Sequence, residues 1–241
     1  MSLYLALDTA TALGSVAVGD AGRVVAEVTV GDRRHAAATL PAMQEVLRLA
    51  GARFEDLAGL VVADGPGSFT GLRIGFATAK GLWQAHQGLS VETAPSLLAA
   101  AWRARAFAAG PVAAVYDALR GEVFVAVYRF DAARVEALLA PRLLAAADLA
   151  RVRPAPALAV GDGAAAYPDI VAAWTGRAPV GPPEGAPRAA ALLELRGIAG
   201  GLVPLDEPAA AEPTYGRLAE AQARWEQAHG RPLPDPPGHG G

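Results

Sequence analysis

The sequence predicts an α/β fold built as two lobes, from three observations. Apolar strand candidates alternate with segments of helical periodicity along the chain. One order occurs twice: a strand ending in aspartate, a turn, further strands, then helices, with the division near Ala109-Gly110-Pro111. Such self-similarity points to an internal duplication. A glycine-rich stretch, Asp64-Gly65-Pro66-Gly67-Ser68-Phe69-Thr70-Gly71-Leu72-Arg73-Ile74-Gly75, follows the apolar run 60–63 and has the order strand, tight loop, helix. The expected division is a first lobe over 1–109, a second over 110–229, and a disordered Pro/Gly-rich tail over 230–241.

In the first half, residues 3–7 form a strand candidate ending at Asp8-Thr9. Residues 14–18 and 23–30 are the second and third strands, joined by a hairpin turn at Gly19-Asp20-Ala21-Gly22. Leu40, Met43, Leu47 and Ala50 recur at helical spacing and predict a helix over 36–50, ended by Gly51. Pro41 is tolerable there because it lies near the first turn. Residues 60–63 then read as strand, 70–86 as helix, 89–92 as strand, and 95–108 as a helix halted by Gly110-Pro111. In the second half, 112–116 is a strand ending at Asp117, 122–130 a strand beyond a turn at Arg120-Gly121, and 134–140 a third. A short helix over 146–152, a strand over 158–160, a helix opened by Gly161-Asp162-Gly163 and a helix over 187–199 complete the order.

The glycine-rich loop carries the chemistry. Glycine permits positive φ and close backbone approach, Ser68 or Thr70 can cap the following helix, and amides at a helix start favour an anion. Asp8, Thr9, Gly65, Gly67, Ser68 and Thr70 are therefore the candidate nucleotide- or phosphate-binding residues. No Gly-Lys-Ser/Thr triplet makes the loop a Walker A motif. The competing reading is a sharp turn with a helix packed closely at Gly71 and Gly75, and Asp8 as a turn aspartate bonding its own backbone.

Composition narrows the classes. Apolar residues make up 53% of the 241 and charged residues 19%, as in a soluble globular protein. The net charge of −3 supplies no global field toward nucleic acid or an anionic membrane. With no cysteine, disulfides, thiolate metal sites and a cysteine nucleophile are excluded. No uncharged apolar run reaches the ~18 residues of a membrane helix, and Asp8 interrupts the apolar N-terminal stretch, so a cytoplasmic location is expected.

Several motifs in order resemble the bacterial TsaB (YeaZ) family. They are Leu5-Ala6-Leu7-Asp8-Thr9-Ala10-Thr11 with Gly14-Ser15-Val16-Ala17-Val18, then Gly65 to Gly75, and Ala79-Lys80-Gly81-Leu82. In the second half come Asp117-Ala118-Leu119-Arg120-Gly121-Glu122-Val123-Phe124, Gly161-Asp162-Gly163 and Ala211-Glu212-Pro213-Thr214-Tyr215. The resemblance implies the two-lobed fold of actin, hexokinase and sugar kinases, with a mixed five-stranded sheet in each lobe. It implies a non-catalytic subunit that binds and activates its paralogue TsaD in transfer of threonylcarbamoyl to adenosine in tRNAs that read codons beginning with A. TsaE, a small ATPase, joins them, tRNA binds through the complex, and the chain alone can form a homodimer. No cofactor of its own is implied, with ATP or ADP expected at most at the complex interface. An ATP-dependent phosphotransferase of the same fold and a glycoprotease-like peptidase are the alternatives.

The residues accord with a non-catalytic partner. The resemblance places the metal-binding His-x-x-x-His pair of TsaD on the helix after strand 89–92, where this chain reads Glu92-Thr93-Ala94-Pro95-Ser96-Leu97-Leu98-Ala99. His35, His86, His229 and His239 lie nowhere three or four residues apart. His35 is expected to cap or to serve an interface, while Asp117 and Glu122 are turn carboxylates without an assigned catalytic role. The expected partner surface is the pair of helices 36–50 and 70–86, carried by Leu40, Met43, Leu47, Gly71, Leu72, Gly75 and Phe76. Gly71 and Gly75, four apart, are expected to leave a groove for a facing helix, so that Gly75→Leu would block pairing and spare the fold.

Overall fold

A computed structural model describes residues 2–20, 22–31 and 35–217 of the chain. The tail expected over 230–241, the histidines His229 and His239, and Asp32-Arg33-Arg34 lie outside the described residues.

The first sheet is built from β1 (Leu3–Asp8), β2 (Gly14–Asp20), β3 (Arg23–Val30), β4 (Leu57–Gly65) and β5 (Ser90–Pro95), with a two-residue edge strand, β10 (Val203–Pro204), in the order β10-β5-β4-β1-β2-β3. β1 pairs antiparallel with β2 and parallel with β4. The second sheet repeats this plan with β6 (Val112–Asp117), β7 (Glu122–Phe130), β8 (Val135–Ala145) and β9 (Leu158–Val160), in the order β8-β7-β6-β9. β6 takes the place of β1, antiparallel to β7 and parallel to β9. This repeated meander with a parallel return gives the two sheets one topology.

The strand counts are six and four among the described residues, not five in each lobe. In the first sheet β10 adds an edge to β5. In the second, the fifth position is reduced to a single parallel bridge between Val160 and Val180. Pro179, Pro182 and Pro183 flank that bridge and lack the amides a ladder needs.

Helices α1 (His35–Ala50) and α2 (Phe69–Ala85) cover the outer face of the first sheet. Alternation assigns the faces. Leu5, Leu7, Val16, Val18, Leu60 and Val62 point to the α1/α2 core, and Ala6, Ala17, Val61 and Ala63 to the core between the sheets. Because both faces are buried, the strands read as near-continuous apolar runs. Pro41 is the seventh residue of α1 and lies beyond the first turn; it is exposed, so the helix leaves its unpaired carbonyl on the water side.

The inter-sheet core is filled by α3 (Ser96–Ala104) and α6 (Ala189–Glu194). α3 precedes the second sheet in sequence yet packs on β6, β7 and β9, and α6 follows it yet packs on β1, β2, β3 and β4. The predicted helices 95–108 and 187–199 are shorter than expected, α3 continuing only as a 3₁₀ turn over Arg105–Phe107. The helix opened at Gly161 is the short α4 (Asp162–Ala166), followed by an unexpected α5 (Pro168–Thr175).

Candidate functional site

A cleft of about 630 Å³ opens between the lobes at the carboxyl ends of β1, β4, β6 and β9. Open α/β sheets bind ligands at that edge because loops leave the strands there. One wall is the turn Ala10–Ala12, the loop Gly67–Ser68 and the first turn of α2; the other is Tyr116, Asp117, Ala118, Leu119, Phe124 and Asp162.

The first wall is held by close backbone approach. Ser68 N–H donates to Ala10 O at 2.7 Å, and Thr9 Oγ1 donates to Gly71 O at 2.7 Å. Ser68 caps α2, its Oγ accepting from Gly71 N–H at 3.3 Å. A Cβ on Gly67 would strike Ala10 O, and one on Gly71 would strike Thr9 O. Asp8 closes an Asx turn, accepting from Ala10 N–H at 3.0 Å. Its side chain is fully buried, Oδ2 has no partner among the described residues, and burial pushes the carboxyl up to about 7.

The second wall is acidic. Asp162 Oδ1 accepts from Gly163 N–H at 2.8 Å and from Asp117 N–H at 3.1 Å, and burial raises its carboxyl above the ordinary range. Asp117 Oδ1 accepts from Leu119 N–H at 2.9 Å, in a turn where Leu119 and Arg120 both adopt positive φ. Tyr116 donates to Ser96 O and Ser96 donates to Pro66 O, a relay that ties the walls together.

Of the six candidate phosphate residues, Gly67, Ser68 and Thr70 line the cleft. Asp8, Thr9 and Gly65 do not: the first two are buried in the turn beneath it, and a Cβ on Gly65 would strike Thr214 O. His35 is buried at the head of α1, with Nε2 2.7 Å from Thr11 O and its ring against Gly14.

The partner-surface expectation needs correction. Gly71 and Gly75 face inward, where a Cβ on Gly75 would lie 2.6 Å from Thr9 Oγ1. Leu72, Phe76 and Met43 are also buried in their own lobe. Leu40, at 56% exposure, and half-buried Leu47 remain at the surface. A glycine pair four apart gives a face but not its direction, and here β1's turn occupies it.

Sequence reasoning did not assign Tyr215 and Arg217 to the cleft, although both line it. Tyr215 stands in a quoted motif, but nothing local shows that the chain returns here. Tyr215 stacks on Phe69 with ring centroids 4.6 Å apart, and Arg217 Nη1 donates to Ala118 O at 2.6 Å.

Comparison with known proteins agrees with this architecture. Residues 23–173 match the family model described as TsaD: tRNA N6-adenosine threonylcarbamoyltransferase. The chain is 34% identical to the tRNA threonylcarbamoyladenosine biosynthesis protein TsaB of Escherichia coli, over 69% of this chain and 74% of that protein. Its identity to the Bacillus subtilis protein of the same name is 29%, over 92% and 96%. A solved Pseudomonas aeruginosa structure, an uncharacterized protein with similarity to peptidase YeaZ, superposes with a TM-score of 0.74 at 30% identity, covering 90% of this chain and 100% of that one.

Proposed function

Because this chain belongs to the TsaB (YeaZ) family, we propose that it serves tRNA threonylcarbamoyladenosine biosynthesis as a non-catalytic subunit that binds and activates TsaD. TsaE completes the assembly, and the same surface serves a homodimer when TsaD is absent.

The observation that carries this reading is the outer face of α1 and α2. Ala37, Leu40 and Pro41 on α1 are exposed, as are Ala77 and Gly81 on α2, a low patch of small and apolar residues on paired helices, with Arg48 and Arg73 exposed further along them. Gly81 is the glycine that suits a partner: a Cβ there meets nothing within 4 Å. A facing helix can therefore approach closely.

Two features favour a silent subunit over catalysis by this chain. Ser68 Oγ is engaged by Gly71 N–H, and His35 directs one ring nitrogen to Thr11 O and its ring to Gly14, so no activated serine follows from their sharing a cleft. The cleft also fits a metal triphosphate poorly. Asp8 lies outside it, Lys80 is paired with Glu212, and Asp117 and Asp162 face any phosphate. Arg217 is the one lysine or arginine that lines the cleft among the described residues, and it is turned to Ala118 O, so a nucleotide at the assembled interface would draw further cations from the partner. No helix among the described residues is long and apolar enough to cross a membrane.

The test is reconstitution with TsaD, TsaE, threonylcarbamoyl-AMP and tRNA. Modification should require this chain, while the chain alone turns over neither ATP nor peptide. Gly81→Leu and Leu40→Asp should fold normally and lose co-purification with TsaD. Modification that proceeds at full rate without the chain, or tight TsaD binding by both variants, would refute the proposal.

A further inference from the structure

We propose that the end of the second lobe opposite the cleft is an RNA-contacting surface, centred on Phe107 and ringed by Arg103, Arg153 and Arg177. It rests on the reading above, and names where this chain would touch the tRNA.

Three segments converge there. The 3₁₀ turn Arg105–Phe107 follows α3 directly, so the exposed Arg103 and Phe107 lie four residues apart at that end of the helix. Arg177 Nη1 donates to Phe107 O at 3.3 Å, which places the end of α5 beside that turn. Ala157 N–H donates to Pro111 O, and Trp174 Nε1 donates to Val152 O, which brings the loop carrying Arg153 alongside both. β6 and β9 start at this edge and end at the cleft, about 20 Å away at the rise of a strand.

The chemistry is that of a single-stranded or loop RNA contact. Phe107 is 74% exposed, the largest exposure among the exposed large hydrophobic side chains, and offers a free ring face. Arg103, Arg153 and Arg177 are exposed, and none pairs with a carboxylate among the described residues. The neighbouring carboxylates are engaged, Asp148 by Arg151 and Glu194 by Trp102 and Arg105. Cations that follow phosphates beside an aromatic ring that stacks a base are how proteins hold unpaired nucleotides. A protein partner is less well matched, because one ring among alanines and a glycine gives little apolar area to offset three unpaired charges. Three cations also agree with a chain that needs its complex to hold tRNA tightly.

The experiment uses the full chain assembled with TsaD and an unmodified tRNA transcript. The triple variant Arg103→Gln/Arg153→Gln/Arg177→Gln should weaken tRNA binding about tenfold at 0.15 M salt and flatten the slope of log Kd against log salt by about 2. Phe107→Ala should weaken it about tenfold with the slope unchanged. A photoreactive side chain at position 107 should crosslink to the tRNA. Because the four positions are exposed, unfolding curves should match wild type. Unchanged affinity and slope, or loss of TsaD in place of tRNA, overturns the proposal. If the wild-type chain fails to stimulate modification while the crosslink persists, the subunit reading falls and this surface stands.

Discussion

Gly71 and Gly75 are where the chain has least freedom to change. Each lies against Thr9, one against its carbonyl and one against its hydroxyl. Gly71→Ala should cost about 1–3 kcal/mol in urea unfolding through overpacking, and Gly75→Leu should fail to fold, contrary to the expectation that it spares the monomer. Asp8 gives a pH signature. Its carboxyl ionises at about 7 when folded and near the ordinary ~3.9 when unfolded. Below about pH 4 both states are protonated and there is no buried charge to desolvate. Between about pH 4 and 7 the unfolded chain releases a proton that the folded one keeps, so stability falls as pH rises, by up to about 4 kcal/mol. Asp64, which ionises at about 6 because of burial, adds the same sign. Asp8→Asn should therefore exceed wild type by about 1–3 kcal/mol at pH 8, its unpaired amide costing the remainder, and lose that advantage at pH 4.

The segment from Glu212 to Arg217 acts as a strap across the cleft mouth. Lys80 holds Glu212 at 3.0 Å, and Thr214 N–H donates to Asp64 O at 2.7 Å. Arg73 Nε donates to Tyr215 OH at 3.1 Å, with its guanidinium 4.1 Å from the Phe69 ring. Gly216, at φ 73°, passes between Pro66 of the first lobe and Phe124 of the second, where a side chain has no room. Tyr215→Ala removes the stack on Phe69, the hydrogen bond from Arg73 and the 5.9 Å contact of its guanidinium with the Tyr215 ring, together worth about 1–2 kcal/mol. Hydrogen exchange at the Thr214 amide should then speed up about tenfold while the global melting temperature barely moves. Unaltered exchange at Thr214 would mean that the strap is held elsewhere.

The lobes exchange helices, and this governs how the molecule folds. α3 leaves the first half to pack on the second sheet, α6 returns from the second half to pack on the first, and Trp102 of α3 donates to Glu194 of α6 at 2.8 Å. One core therefore spans both sheets, containing Ala6 and Ala17 with Ala114 and Leu192. A chain of residues 1–109 alone would expose the inner face of its sheet and most of α3. It should be unfolded or aggregated by circular dichroism and NMR dispersion, whereas full-length protein melts in one cooperative step. A folded, soluble 1–109 fragment would contradict this account.

Period and punctuation along the chain specify the elements themselves. β3, β7 and β9 fall at their expected bounds, and the repeated strand–turn–strand order foretells the duplicated sheet. Residue type also marked the loop whose Gly67, Ser68 and Thr70 face the cleft. These are local properties, because a strand, a cap or a tight turn is specified by residues a few positions apart. Direction and distance were decided by tertiary structure. The sequence does not show whether Gly75 faces Thr9 or a partner, whether Asp8 meets the cleft or lies beneath it, or that Arg217 closes on a turn 99 residues earlier. Gly121 marks the turn, but that Leu119 and Arg120 before it also hold positive φ has no glycine at either position to show it. Each depends on which surfaces meet once both sheets are packed, and burial is a property of that packing, not of the residue.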